Sequence, residues 1–206
     1  MDLFEAIRSQ RAIRSYTDDP VPMDLIHRIL EFAVRAPSGG NQQPWSFIVI
    51  TDPSLKAQIS VFYRDSWDEV YGPPERAATL SPQVLSSASN LAENMARAPV
   101  MIMACIKHDG SPSSLGRGAS IYPAVQNLML AARGLGLGTA LTTLHKRYEV
   151  EIKKLLNIPE NVETAALIPL GYPASPEHFG GSRRRPVRDL MYLDQWGKTQ
   201  STSPSS

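Results

Sequence analysis

The clearest periodicity in the chain runs over 23–35, where Leu25, Ile26, Ile29, Leu30, Ala33 and Val34 recur at helical spacing and predict an amphipathic helix. Leu3, Phe4 and Ile7 predict a shorter one from Asp2 to about Gln10. Two compact apolar runs, Phe47-Ile48-Val49-Ile50 and Val100 to Ile106, do not alternate with polar residues and predict buried strands. Asp52-Pro53-Ser54 predicts a helix cap, and a polar-rich helix is expected from about Gln83 to Ala96. A long helix is expected from roughly Gly118 to Arg133, with Pro123 either kinking it or marking its start. Thr139 to Thr143 predicts a strand, Tyr148 to Leu156 a short helix, and Glu163 to Pro173 a last strand. Between them, Gly134-Leu135-Gly136-Leu137-Gly138 superficially matches a dinucleotide-binding turn. Such a turn follows a strand and opens a helix, whereas these glycines close one, so a C-cap is expected instead.

The pattern loosens between Leu55 and Arg97. Phe62, Tyr63, Trp67 and Tyr71 lie beside Gly72-Pro73-Pro74 and Ser81-Pro82. Aromatics next to such breaks fit two readings, a flap over an apolar ligand or residues of the core or a subunit interface.

Length and charge narrow the function classes. The 206 residues predict one domain over 1–198, with a polar, disordered tail over 199–206. Lys and Arg number 21 against 20 Asp and Glu, a net charge of +1, which gives no field to recruit nucleic acid or an anionic membrane. Cys105 is the single cysteine and sits in an apolar run, so no internal disulfide forms. No signal-peptide core or membrane-length stretch is present, and a reducing, cytoplasmic location is expected. His27, His108, His145 and His178 show no metal-ligand spacing, and no Gly-x-Ser-x-Gly or Walker-type loop occurs. No residue is singled out as catalytic.

The chemistry concentrates in Ala36-Pro37-Ser38-Gly39-Gly40-Asn41-Gln42-Gln43-Pro44-Trp45. Two prolines fix φ, two glycines permit close approach, and Ser38, Asn41, Gln42 and Gln43 offer uncharged groups that donate and accept. That suits a flat polar heterocycle such as a flavin ring, but equally an ordinary capped turn. Arg11 and Arg14 in Arg11-Ala12-Ile13-Arg14 suit a phosphate, with Arg183-Arg184-Arg185 as a second source of guanidinium groups; a surface turn is the plain alternative. A chain with such groups and no evident acid, base or nucleophile points to a cofactor carrying the chemistry.

Taken in order, four segments resemble the nitroreductase family of FMN-dependent oxidoreductases: Gln10 to Tyr16, Ala36 to Trp45, Gln126-Asn127-Leu128 through Gly138, and Leu170-Gly171-Tyr172-Pro173 followed by Arg184-Arg185-Pro186. The resemblance implies an α+β fold, with a central mostly antiparallel sheet flanked by helices, in an intertwined homodimer with FMN at both subunit interfaces. It implies that Arg11, Arg14 and Arg184 hold the phosphate, that Pro37, Ser38 and Gly39 of the partner subunit line the ring, and that Thr142 or Thr143 approaches flavin N5. Ala12, Asn41 and Gln43 complete the implied cofactor-binding set. Ala12 stands where the family has Ser, and Gln10 where it has Arg, which implies weaker FMN retention. The implied activity is hydride transfer from NAD(P)H through flavin to a flat small-molecule acceptor such as a nitroaromatic, quinone or enone. A reductive dehalogenase of the same fold and a non-catalytic flavin-binding protein are the alternatives.

Overall fold

A computed structural model describes residues 1–199, so of the expected tail only Thr199 falls within the described residues. Four strands, β1 (Trp45–Ile50), β2 (Val100–Lys107), β3 (Gly138–Thr139) and β4 (Val162–Gly171), form one antiparallel sheet in the order β1-β2-β4-β3. The helices are α1 (Leu3–Ser9), α2 (Met23–Ala33), α3 (Pro53–Tyr71), α4 (Pro74–Ala77), α5 (Pro82–Asn94), α6 (Leu115–Gly134) and α7 (Glu149–Leu155). The fold is therefore α+β.

Strand β2 explains why its sequence is uniformly apolar. Met101, Met103 and Cys105 point into a core built with α3, α5 and α7, while Val100, Ile102, Ala104 and Ile106 point into a second core against α2 and α6. A strand covered on both faces has no side for polar residues. Opposite β2, the register slips by one residue between Ala104, paired with Ala166, and Cys105, paired with Thr164. The extra residue, Ala165, makes a β-bulge that puts Ala165 and Ala166 in the same core.

Side-chain caps fix where helices begin. Asp2 accepts the Glu5 N–H at 2.8 Å, and Asp52 accepts the Leu55 N–H at 2.9 Å, as its sequence suggests. Helix α6 ends in the glycine cap expected of its sequence: Gly136, at φ +80°, donates to the Arg133 carbonyl, and Leu137 donates to Ala132.

Several expectations are corrected. Helix α2 ends at Ala33, and Val34 is exposed, because only Ile26, Ile29 and Ala33 are fully covered by α6 and the sheet. Strand β1 begins at Trp45 and buries only Ile50, since it is an edge strand in this chain. Pro123 lies inside α6, which starts earlier, at a cap from Ser114. The strand expected over 139–143 is only two residues long; the chain then rejoins β4 through a single bridge between Thr142 and Leu167. Of the two readings of the aromatics, the core one holds for Tyr63 and Trp67, which the 19-residue helix α3 buries, though both also line a cleft.

Candidate functional site

The arginine segment is extended and anchored through its apolar residue. Ile13, fully buried, donates its N–H to the Thr139 carbonyl at 2.9 Å, and Ala12 bridges Thr139 in parallel. The Tyr16 hydroxyl donates back to the Ile13 carbonyl, and burial pushes its pKa well up, so it stays a donor. With the backbone held, Arg11 and Arg14 project into different surroundings. Arg11 donates to the Gly180 carbonyl at 3.2 Å; Arg14 reaches Ser87 of α5 at 3.5 Å, a weak contact. Its backbone N–H donates to the Glu177 carboxylate at 3.1 Å. Both arginines are half-buried residues, and among the described residues neither forms an ion pair with a carboxylate. Partly buried charge without a counter-charge is costly, and an anionic ligand would relieve that cost.

Arg14 shares a cleft of about 270 Å³ with Thr142 and Thr143. Tyr63, Trp67 and Tyr71 form its aromatic wall. The Thr142 backbone is fixed by two hydrogen bonds to Leu167, at 3.1 and 3.0 Å, which set the hydroxyl pair at the start of a 3₁₀ turn over Leu144–Tyr148. Burial raises the Tyr63 pKa while the Thr142 hydroxyl opposes it, so the phenol remains neutral at the cleft wall. The unpaired cation, hydroxyls and aromatic faces suit a flat ligand with a polar or anionic edge.

The Ala36–Trp45 loop lies elsewhere. Ser38 Oγ accepts the Gln43 N–H at 3.0 Å, Gln43 donates to the Asn41 side chain at 3.2 Å, and Gly39 donates to Ser120 of α6 at 3.2 Å. Gly40, Asn41 and Gln43 all have positive φ, at 57°, 55° and 50°. Two such residues that are not glycine cost of order 1 kcal/mol each, a strain that tends to collect at functional sites. Pro37 and Gly39 are exposed. A larger cleft, about 620 Å³, runs along this loop between Gln42–Ser46, Lys107–Asp109 and Arg117. It contains none of the three candidate arginines and neither threonine, so the smaller cleft is the better seat for the chemistry.

Loop and cleft are far apart in one chain. The cleft sits on the α3 and α5 face at the β3 edge; the loop is tied to α6, on the other face, and leads into the β1 edge. Thr142 bridges Leu167, which pairs with Met103, which pairs with Ile48. Three strand spacings, roughly 14 Å, therefore separate Thr142 from β1 alone. Pro37, Ser38, Gly39, Asn41 and Gln43 cannot line the Arg14 cleft of their own chain. Arg184 is exposed, with its guanidinium on the Arg183 carbonyl at 2.9 Å.

Sequence reasoning missed the groups that brace these parts. Glu163 binds Arg117 at 2.6 Å and Lys146 at 2.9 Å, and Lys146 also binds Glu149 at 3.0 Å. Burial alone would raise the Glu163 pKa, but hydrogen bonds from Lys146 and Arg117 outweigh it and hold the carboxyl at about 2. His145, screened in the sequence only as a metal ligand, is fully buried beneath the Thr142–Thr143 turn. Ser87 and Ser120 carried no signal, since nothing local to a helical serine announces a partner from another element.

The chain is 33% identical over 201 residues to a Methanothermobacter thermautotrophicus protein named "Putative NADH dehydrogenase/NAD(P)H nitroreductase", an alignment covering 95% of this chain and 88% of that one. It is 27% identical over 203 residues to the iodotyrosine deiodinase of Nematostella vectensis, covering 93% and 75%. The fold superimposes on an oxidized iodotyrosine deiodinase solved with FMN and 3-iodo-L-tyrosine, with a TM-score of 0.72, 24% identity, and coverage of 89% and 96%. A nitroreductase-like family protein from Bacillus cereus gives a TM-score of 0.69 at 18% identity, covering 94% and 96%. Among the described residues no helix is long and apolar enough to cross a membrane. The model of the Nitroreductase family matches residues 7–172, most of the chain, and the protein belongs to that family of oxidoreductases.

Proposed function

We propose that this protein is an FMN-dependent oxidoreductase that takes hydride from NAD(P)H and delivers it to a flat electrophilic acceptor, a nitroaromatic, quinone or enone. The observation that carries this reading is the cleft that gathers Arg14, Thr142 and Thr143 under an aromatic wall, with Arg11 nearby in sequence and, among the described residues, also without a carboxylate partner. These residues fit FMN: a guanidinium for the phosphate at Arg11, and a second cation with hydroxyl groups for the polar edge of the ring at Arg14, Thr142 and Thr143. FMN, when bound, supplies hydride acceptance and donation. The protein's residues bind it, orient it, and place positive charge where reduction would build negative charge. Arg184, four residues after the Gly180 carbonyl that Arg11 binds, completes the phosphate site in this reading.

The reading includes a homodimer, because the loop and the cleft of one chain cannot serve one ring. Pro37, Ser38 and Gly39 of the partner subunit line the cofactor, with Asn41 and Gln43 of the partner subunit bracing that loop. Exposed apolar side chains supply the surface for pairing. Leu3, Phe4, Ile7 and Phe32 are each more than half exposed, as are Val187 and Leu190, and Trp196 is 90% exposed. One domain in a reducing, cytoplasmic setting completes the proposal, with Cys105 a buried thiol.

Reductive dehalogenation is the second reading, supported by the 27% identity to an iodotyrosine deiodinase over most of the chain. The test is a visible spectrum of the protein with added FMN, followed by NAD(P)H oxidation with a quinone or a halogenated phenol. Retained flavin bands and quinone-dependent turnover are expected. Faster turnover of the halogenated phenol, with halide release, would favour the second reading. Retained flavin without turnover would leave a flavin-binding protein, and a protein that cannot be reconstituted with FMN would overturn the cofactor assignment.

A further inference from the structure

His145 is fully buried, and its surroundings fix which ring nitrogen carries the hydrogen. Thr164 has one hydroxyl hydrogen, which goes to Glu149 Oε1 at 2.7 Å; the same oxygen accepts the Thr164 backbone N–H at 2.8 Å. Thr164 Oγ1 is then an acceptor, so Nε2 of His145, 3.1 Å away, is the donor. Nδ1 makes no well-formed hydrogen bond among the described residues, and the Thr142 backbone of the same turn is its weak polar neighbour. Burial, with Lys146 adding to it, holds the ring pKa down to about 4, so the ring is neutral in ordinary buffers. A buried nitrogen without a well-formed partner is destabilising, and a phenylalanine or leucine of similar volume would avoid it. Filling space is therefore not a sufficient reason for histidine here. Its one strong attachment is to Thr164 on β4, and its chain position is directly after Leu144, at the turn that carries the cleft hydroxyls.

We propose that His145 is a positioning residue: by fastening the turn to Thr164 it fixes where the Thr142 and Thr143 hydroxyls stand in the cleft. The attachment is itself braced, because Glu149 holds Thr164 through two hydrogen bonds and is held in turn by Lys146. The local role of His145 is independent of the ligand; its consequence for turnover rests on the proposed FMN site.

The experiment compares His145→Phe and His145→Gln with the wild type. Phe keeps ring volume but loses the Nε2 donor, whereas Gln keeps an N–H at similar reach. The first readout is amide hydrogen exchange without added FMN. Exchange at Thr142 and Lys146, whose amides bond Leu167 and Thr143, is expected to speed up about tenfold in His145→Phe and to return toward wild type in His145→Gln, with β2 amides unchanged. The second readout is on protein loaded with FMN: weaker FMN binding and a kcat lowered about tenfold in His145→Phe, both rescued by Gln. Unchanged exchange at the turn in His145→Phe overturns the proposal. So does equal acceleration across the turn and β2 in both variants, which would mean the ring only fills the core. Failure of the wild type to bind FMN would remove the cofactor reading, and the exchange data would still decide the role of His145.

Discussion

Gly138 offers a direct test of how the arginine segment is held. A Cβ added there would lie 2.6, 2.7 and 2.9 Å from Ile13 Cγ2, Cβ and Cγ1. Ordinary carbon–carbon contact is about 3.5–4.0 Å, so Gly138→Ala demands a displacement of about 1 Å. Neither side yields easily. Ile13 is fully buried and bonded to Thr139, and Gly138 is paired with Gly171 in the sheet. Overpacking of this kind costs about 1–3 kcal/mol, which for a chain of this size lowers Tm by roughly 3–10 °C. Because Ile13 lies between Arg11 and Arg14, the displacement also moves both cations, and FMN affinity is expected to fall more than the stability loss alone would explain. Thermal unfolding with and without FMN measures both effects. Wild-type Tm together with wild-type FMN affinity in Gly138→Ala would refute the claim that this contact anchors the site.

Three other outcomes are expected. Ala12→Ser restores a hydroxyl donor beside the arginines and should tighten FMN binding by roughly three- to tenfold, about one hydrogen bond's worth; a fluorescence titration showing equal affinities would count against phosphate binding there. Glu163→Gln removes the counter-charge of Arg117 and leaves Lys146 with Glu149 alone, and should destabilise the protein by about 1–3 kcal/mol at pH 7, discounted for partial exposure. Since the folded-state carboxyl is held at about 2, below its ordinary 4.5, that stabilisation is complete above pH 4.5 and disappears as pH falls through 2; denaturant curves of the two proteins should converge over that interval. Trp196→Ala removes the most exposed aromatic of the C-terminal segment, which pairs with Tyr192 at 4.8 Å between ring centroids. Sedimentation should show a weaker dimer, and an unchanged dimer constant would exclude Trp196 from the interface.

Local features of the fold were legible in the sequence and long-range ones were not. Asp52 as a cap and the glycines after α6 as a C-cap follow from backbone chemistry confined to a few residues. The aromatics of α3 resisted reading because a helix packed on one face by Tyr63 and Trp67 and partly wetted elsewhere gives no clean stripe. The bulge at Ala165 left no local mark, since it depends on how β4 meets β2. At the candidate site, the sequence picked out Arg11, Arg14, Thr142, Thr143 and the Ser38 loop, and the structure adds their separation into two places. The ion network joins positions 117, 146, 149 and 163, and no spacing rule links residues brought together only by folding. His145 escaped for the same reason: its partner, Thr164, is on another element.

Loop and cleft on opposite edges and faces of one sheet would make each reaction centre the joint property of two polypeptides. Defects in the two parts should then complement. A chain crippled at Arg11 and a chain crippled at Ser38 are each inactive as pure dimers, but a mixed dimer unites both lesions in one centre and leaves the other whole. Random re-pairing of equal amounts should recover about a quarter of wild-type activity from two dead proteins. In a cell carrying two damaged copies of the gene, the same arithmetic would let harmful alleles mask one another.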